Sequence, residues 1–518
     1  GLMGTIDFDQ VELQIQNDEA PIDIRLNNAA FDEAASFETD WKPSGPNQDF
    51  AIKNENGNPY LSASRTKGSL EYTPPLFPKN TLKDKFLHKP VGNGLSIEFP
   101  MVISKDEQTK FSVSKAGAFE ALQSKVDSIQ NISLENKYVR LANLVKAWNN
   151  FQHFYPYFDL IDLDWEDQLR QAILQNETDQ NMADHLKTLK IMLAPLKDSH
   201  LGVYTQADQF FPPIKVEIAE DHLVLTEVLD AKLSLKPGNS IIRINGQNVE
   251  AYWDEHSQKA QGATLTRKAL TTIEEILAGT ENSFLELELV GLDTAVQLRR
   301  TWSEHTYGTV SSKLDRSPFL EMETGIYYIN LSEVSWEFLQ EQMQLLAGAK
   351  GLVFDLRGYP SWKTINIVSH LTEDTLQQLQ LYTPEVLFPD QENRSWQPSE
   401  VVKMYPNKPL LDAKKIFLTD ANAISYSETF LNLIKHYQLA TIVGQQTAGS
   451  TGNVNMLYLY GGISIPWTGM KVLDQNGAAF QGHGILPDYP VAKTIKGISN
   501  GQDEYLNAAL KILYQQLN

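Results

Sequence analysis

The chain has 518 residues, more than one hydrophobic core organises, so three or four domains are expected. Hydrophobic residues make up 42% and charged residues 21%, a globular composition, and 44 basic against 65 acidic residues leave a net charge of -21. So acidic a surface repels nucleic acid and anionic lipid, which excludes both as partners, and the absence of cysteine excludes thiol nucleophiles, thiolate metal sites and disulfide scaffolds.

From Thr5 to Ser114 short alternating runs such as Val11–Ile15 and Leu95–Phe99 are separated by turn formers, as at Glu55-Asn56-Gly57-Asn58-Pro59. This pattern predicts a small all-β sandwich without evident chemistry. The first residues, Gly1–Thr5, do not read as a signal peptide. From Ser114 to Leu196 the period becomes helical. Residues 134–148 place Tyr138, Leu141, Leu144, Val145 and Trp148 on one face, and further helices are predicted over Trp165–Leu174 and Met182–Leu193, the last closed by Pro195. The aromatic group Phe151, Phe154, Tyr155, Tyr157 and Phe158 reads as packing between helices.

Ile214 to Trp302 returns to short strands around one helix, with an Asn245-Gly246 hairpin turn after the apolar run Ile241–Ile244. From Gly325 onward strands alternate with helices: Ile326–Leu331, then a helix over Trp336–Leu346, the buried strand Gly351–Leu356, the strand Lys415–Thr419, a helix over Ser427–His436, and Ala440–Gly444. That alternation predicts a mainly parallel, layered sheet with its site at the strand C-terminal ends. No apolar run approaches the roughly 20 residues of a membrane span.

Three segments carry candidate chemistry. His200 lies in the polar cluster Lys197-Asp198-Ser199-His200, at a helix-to-strand junction. Ser425 lies in Thr419-Asp420-Ala421-Asn422-Ala423-Ile424-Ser425-Tyr426-Ser427-Glu428, where an apolar strand turns into a helix. A serine there sits beside a free N–H, as a nucleophile and its oxyanion donor require, although Ser425 and Glu428 also fit a helix capping box. Asp355-Leu356-Arg357-Gly358 ends a buried strand, with a glycine that lets backbone approach a reacting group. Trp467 and Lys471, in a hairpin expected over Gly461–Val472, read as a core ring and a solvated lysine. No His-Glu-x-x-His or comparable cluster occurs, so no metal is expected.

The order of these segments resembles the peptidase family of the tricorn core and the C-terminal processing proteases, also called tail-specific proteases. The landmarks are Asp198-Ser199-His200, Asp355 to Gly358, Ser425 to Glu428, Gly444-Gln445-Gln446-Thr447-Ala448-Gly449 and Gly484-Ile485-Leu486-Pro487-Asp488, spread over roughly Leu134 to Asp488. The stretch Leu235–Val249 likewise resembles a PDZ domain in its bacterial arrangement, a module that adds a peptide as a strand to its sheet edge. Its usual glycine-rich carboxylate loop is replaced by Phe210-Phe211-Pro212-Pro213-Ile214. The implied fold is multidomain α+β: a β-rich N-terminal domain over 1–115, a helical domain over 116–205 ending in the His-bearing segment, a PDZ-like domain over 206–303, and an α/β catalytic core over 304–518 resembling the crotonase-like layered fold.

The resemblance implies a serine peptidase cleaving peptides or protein C-terminal regions without a cofactor. Ser425 is then the nucleophile, His200 the general base and Ser199 its orienting neighbour, with Gly358 and Tyr426 N–H groups forming the oxyanion hole. Processing proteases take their base from a lysine that is Ser450 here, so the Ser-His arrangement of the tricorn-like branch is expected. That branch places a supporting glutamate where this chain has Gln481. The implied location is the bacterial periplasm or cell exterior, and the implied partner a peptide or protein substrate. The alternative is a non-catalytic peptide- or lipid-binding protein on the same fold.

Overall fold

The computed structural model describes residues 133–311, 317–386, 388 and 394–518, and before residue 133 short segments that are mostly strands. Two compact units comprise residues 1–85 and 86–518. In the first, Thr5–Phe8, Asn58–Arg65 and Gln48–Glu55 form an antiparallel sheet in that order, and Glu12–Ile15 pairs with Ile22–Arg25. The predicted Asn56-Gly57 turn, between Gln48–Glu55 and Asn58–Arg65, lies outside the described residues. Their packing into a sandwich lies outside the described residues.

The second unit is mixed α+β. Helices Lys137–Phe154, Trp165–Asn176 and Met182–Leu193 fall where the periodicity places them, each with an Asn or Asp side chain accepting from the first-turn backbone. The buried face of the first helix differs from the expected one. Tyr138 and Val145 are exposed, while Arg140, Asn143, Leu144, Ala147 and Phe151 are buried. Polar residues point inward because they satisfy backbone there. Arg140 donates to the carbonyls of Leu134, Glu135 and Asp179, and Asn143 exchanges two hydrogen bonds with Tyr460. The aromatic group is core: Phe151, Tyr155 and Tyr157 are buried, and Trp467 meets Phe151 edge-on with centroids 5.4 Å apart.

Between residues 206 and 303 lie a four-stranded antiparallel sheet, ordered Gln247–Asn248, Ile241–Ile244, Phe284–Leu289 and Val296–Arg299, and the hairpin Ile214–Ala219 with His222–Val228. Two helices pack here rather than the expected one. Val249 opens the helix Val249–Ser257 under an Asn248 cap, which limits the strand before it to two residues, and Leu265–Leu277 follows under a Thr264 cap.

The last region is built on a six-stranded sheet in the order Phe319–Glu323, Ile326–Asn330, Gly351–Asp355, Lys414–Thr419, Thr441–Gly444 and Tyr489–Pro490. All neighbours are parallel except the first pair. One face buries Ile329, Phe354 and Phe417 against the helices Trp336–Ala347 and Tyr426–His436; the other buries Tyr328, Val353 and Leu418 against Glu504–Leu517. Strands buried on both faces read as continuous apolar runs, which is why these segments are legible. The late hairpin spans Val454–Leu459 and Ile463–Thr468, turning at Gly461-Gly462, seven residues earlier than expected at its start. Among the described residues no helix is long and apolar enough to cross a membrane.

Candidate active site

Ser425 stands between the strand Lys414–Thr419 and the helix Tyr426–His436, at φ 58° and ψ -111°. A non-glycine residue rarely adopts such a conformation, which costs on the order of 1–3 kcal/mol and persists only where the surroundings impose it. They do so here. The Ser425 N–H lies 3.0 Å from the Ser450 carbonyl and 3.3 Å from Glu428 Oε2, so the predicted capping box is formed around the candidate nucleophile itself.

Glu428 is fully buried and ties its own turn to the loop that carries Thr447, Gly449 and Ser450. It accepts from Thr447 Oγ1 (2.5 Å), Gly449 N (2.7 Å) and Ser450 N (2.9 Å) as well as from Ser425. Burial pushes its pKa up to about 7, against the pull of these four donors. Gly484 closes over the same carboxylate: a Cβ there would stand 2.6 Å from Thr447 Oγ1 and 3.0 Å from Glu428 Oε1. Gly358, at the end of its strand, accepts at its carbonyl from Ser427 Oγ (2.9 Å), which brings the two expected oxyanion segments together. A Cβ on Gly358 would meet Ser332 Oγ at 2.8 Å.

His200 is joined to this centre through Ser450. The Ser450 Oγ accepts from Ser199 N (2.9 Å), while its carbonyl accepts from Ser425 N. Ser450 is thus a buried bridge between the Ser425 turn and the His200 segment. The imidazole is held from below. Its Nδ1 lies 2.8 Å from Thr468 Oγ1, which lies 2.7 Å from Asp198 Oδ1; Asp198 Oδ2 accepts from Thr468 N at 2.7 Å, and Asp198 Oδ1 from His200 N at 3.0 Å. His200 Nε2 is buried with no hydrogen-bond partner, so the Ser425 hydroxyl does not contact it in this state. Burial lowers the His200 pKa from its usual value; Asp198 opposes that and Arg267 adds to it.

The other sequence-derived positions fall as follows. Ser199 Oγ donates to the Ala448 carbonyl (2.6 Å) and accepts from Ala263 N (2.8 Å), so its hydroxyl ties loops together instead of bonding the His200 ring. Gln481 is buried and donates to the Lys197 carbonyl (3.0 Å), beside the His-bearing segment. Asp488 accepts from Ile442 N and pairs with Lys435, a structural role. Lys471 pairs with Asp159 on the surface. Thr468 escaped sequence reasoning: its partners lie 268 and 270 positions away, and no local spacing announces them. Tyr426 is half-buried, and its ring faces Tyr359 and Trp362, with centroids 6.0 and 6.2 Å away.

A strained turn serine, a buried histidine with one unpartnered nitrogen, and a glycine-bearing strand end joined to the serine's turn are parts that acyl transfer can use. Residues 325–491 match the model of peptidase family S41. Among solved structures, mature CPAF in complex with lactacystin superposes with a TM-score of 0.60 at 14% identity, covering 74% of this chain and 99% of that one, which establishes a shared fold. The photosystem II D1 C-terminal processing protease (16% identity, 71% and 98% coverage) and the tricorn protease (14% identity, 74% and 37% coverage) align at TM-scores of 0.38 and 0.37, too low to carry weight. No curated protein matches the chain. The sheet-bearing region, residues 325–491, is thus similar in sequence to peptidase family S41, a family of serine peptidases.

Proposed function

We propose that the chain hydrolyses peptide bonds with Ser425 as nucleophile and His200 as general base. The observation that carries this reading is the hydrogen-bond chain Asp198–Thr468–His200. A carboxylate can only accept, so the Thr468 hydroxyl spends its one proton on Asp198 and offers a lone pair to His200. His200 must therefore carry its proton on Nδ1, which leaves Nε2 basic, buried and unpartnered. Asp198 and Thr468 are positioning residues; they supply, through a hydroxyl, what the family glutamate would supply at Gln481.

In the first step Nε2 takes the Ser425 hydroxyl proton as Oγ bonds to the peptide carbonyl carbon. The oxyanion is held by the N–H groups of Gly358 and Tyr426. Nε2 then gives its proton to the leaving amine as the C–N bond breaks, and water, deprotonated by the same nitrogen, releases the acyl group and restores Ser425. Closure around a peptide is needed to bring Ser425 Oγ and Nε2 together, as hydrogen bonds of catalytic groups often tighten only in the substrate complex. The region 206–303 fits a PDZ-like peptide-delivery module, since its helix Leu265–Leu277 abuts the site.

A fluorophosphonate probe applied to the wild type, Ser425→Ala and His200→Ala tests this. Labelling is expected at Ser425 alone, slowed at least about 100-fold by His200→Ala. A folded wild type that never labels would instead support the ligand-binding alternative.

A further inference from the structure

One proposed oxyanion donor, Tyr426, and the residue that follows the other, Tyr359, present aromatic rings to one another. Tyr359 follows Gly358, and Tyr426 follows Ser425 and supplies the second donor. Their ring centroids lie 6.0 Å apart at 40°, and Trp362 faces Tyr426 from 6.2 Å at 31°. Trp362 is 78% exposed, the most exposed aromatic ring among the described residues, and Tyr359 is 57% exposed. Large exposed rings in contact are uncommon on a surface with no partner and mark a binding site.

The exposure does not come from a loose loop. Ser361 N donates to the Leu331 carbonyl (2.8 Å) and Ser361 Oγ to that of Ser332 (3.0 Å). The fully buried Thr364 donates through Oγ1 to Ser361 O (2.7 Å). Trp362 is held between two anchored residues with its ring directed to solvent.

We infer that Tyr359, Trp362 and Tyr426 form a subsite for an aromatic or large apolar side chain next to the scissile bond. The inference rests on the Ser425 reading for its location. A peptide whose carbonyl oxygen meets the Gly358 and Tyr426 N–H groups has its adjoining side chains within reach of rings one residue away along the chain. Rings accept flat apolar surface, and the strongly acidic protein disfavours acidic peptides.

Internally quenched peptides differing only at the residues flanking the cut, with Phe, Ala or Asp, are assayed with the wild type, Trp362→Ala and Tyr405→Ala. Tyr405 is another exposed ring, and serves as the control. The wild type is expected to favour Phe over Ala by about tenfold or more in kcat/KM, and Asp least. Trp362→Ala should reduce the Phe-to-Ala ratio to about threefold or below, and Tyr405→Ala should leave it unchanged. Equal rates for Phe and Ala, or a ratio indifferent to Trp362→Ala, overturn the subsite. Calorimetric binding of the same peptides to Ser425→Ala provides a second readout. There a Phe preference that Trp362→Ala removes upholds the subsite even if no hydrolysis occurs, and its absence overturns it; the failure of catalysis is read separately, from the fluorophosphonate probe.

Discussion

The Thr468 hydroxyl decides which nitrogen of His200 is free. Removing it while keeping shape, as Thr468→Val, leaves Nδ1 facing a methyl group and one Asp198 oxygen short of a donor. We expect kcat to fall by about 100-fold or more with little change in KM, and Thr468→Ser to restore most of it. The pH profile separates this from simple loss of packing. A base whose pKa is lowered by burial is protonated only at low pH, so wild-type kcat/KM should fall on the acid side with a midpoint below 6.5. Asp198 raises that pKa, so Asp198→Asn should move the midpoint further down as well as lower the plateau. An acid limb that stays in place in Asp198→Asn would argue against an electrostatic link. The segments Asp198–His200 and Ser425–Glu428 were legible in sequence because each is a local pattern at an element boundary. The hydroxyl between Asp198 and His200 was not, because a single threonine at the end of a distant hairpin carries no local mark.

Elements bring their own anchors to the site. Gly358 follows Arg357, whose guanidinium bonds Asp355 on its own strand end and both oxygens of Asp503, at 2.8 Å each. Asp503 is the N-cap of the final helix, so one arginine fixes that helix to the strand that precedes Gly358, the proposed oxyanion donor. Tyr328 adds a 2.7 Å hydrogen bond to Asp355. The pair Arg357–Asp355 is largely buried, and removing one partner strands a buried charge. Arg357→Ala should therefore destabilise by about 3–5 kcal/mol, read as a lowered urea midpoint with an unchanged slope. A loss within about 1 kcal/mol would place the network on the wetter side of the surface-pair range. The four strands and two helices expected between Ile326 and Gly444 match to within a residue or two because two-sided burial writes itself as apolar runs, whereas the late hairpin begins seven residues early. The helix Lys137–Phe154 did not yield its buried face, since Arg140 and Asn143 face inward to serve carbonyls that only the folded chain places there.

At the scale of the whole second unit, the region 206–303 is clasped to the loop of Gln446 and Thr447 by the N-terminus of one helix. Thr264 Oγ1 donates to the Thr447 carbonyl (2.8 Å), Thr266 Oγ1 to that of Gln446 (3.0 Å), and Ala263 N to Ser199 Oγ. These contacts reach both the loop that Glu428 organises and the segment that carries His200. Thr264→Val with Thr266→Val should cost about 1–2 kcal/mol of stability through the lost cap and bonds. It should also slow probe labelling of Ser425 by about tenfold in a protein whose circular dichroism is unchanged. Unslowed labelling would mean that the clasp holds the two regions together without tuning the centre. The presence of this insert was legible from its strands and the Asn245-Gly246 turn; its attachment was not, because hydroxyl-to-carbonyl bonds depend on no particular partner side chain.

The bridge at Ser450 bears on how such enzymes change over generations. If Ser450 stands where processing proteases carry a lysine base, as the sequence resemblance implies, a lone Ser450→Lys exchange would still not convert this protein. It would leave the buried Ser199 N–H without its acceptor and force an ammonium into a spot that is 0% exposed. The intermediate would have lost the ordering of its histidine before its lysine could serve. On the proposed reading, a change of base from histidine to lysine would require the Ser199 segment to be released from Ser450 first.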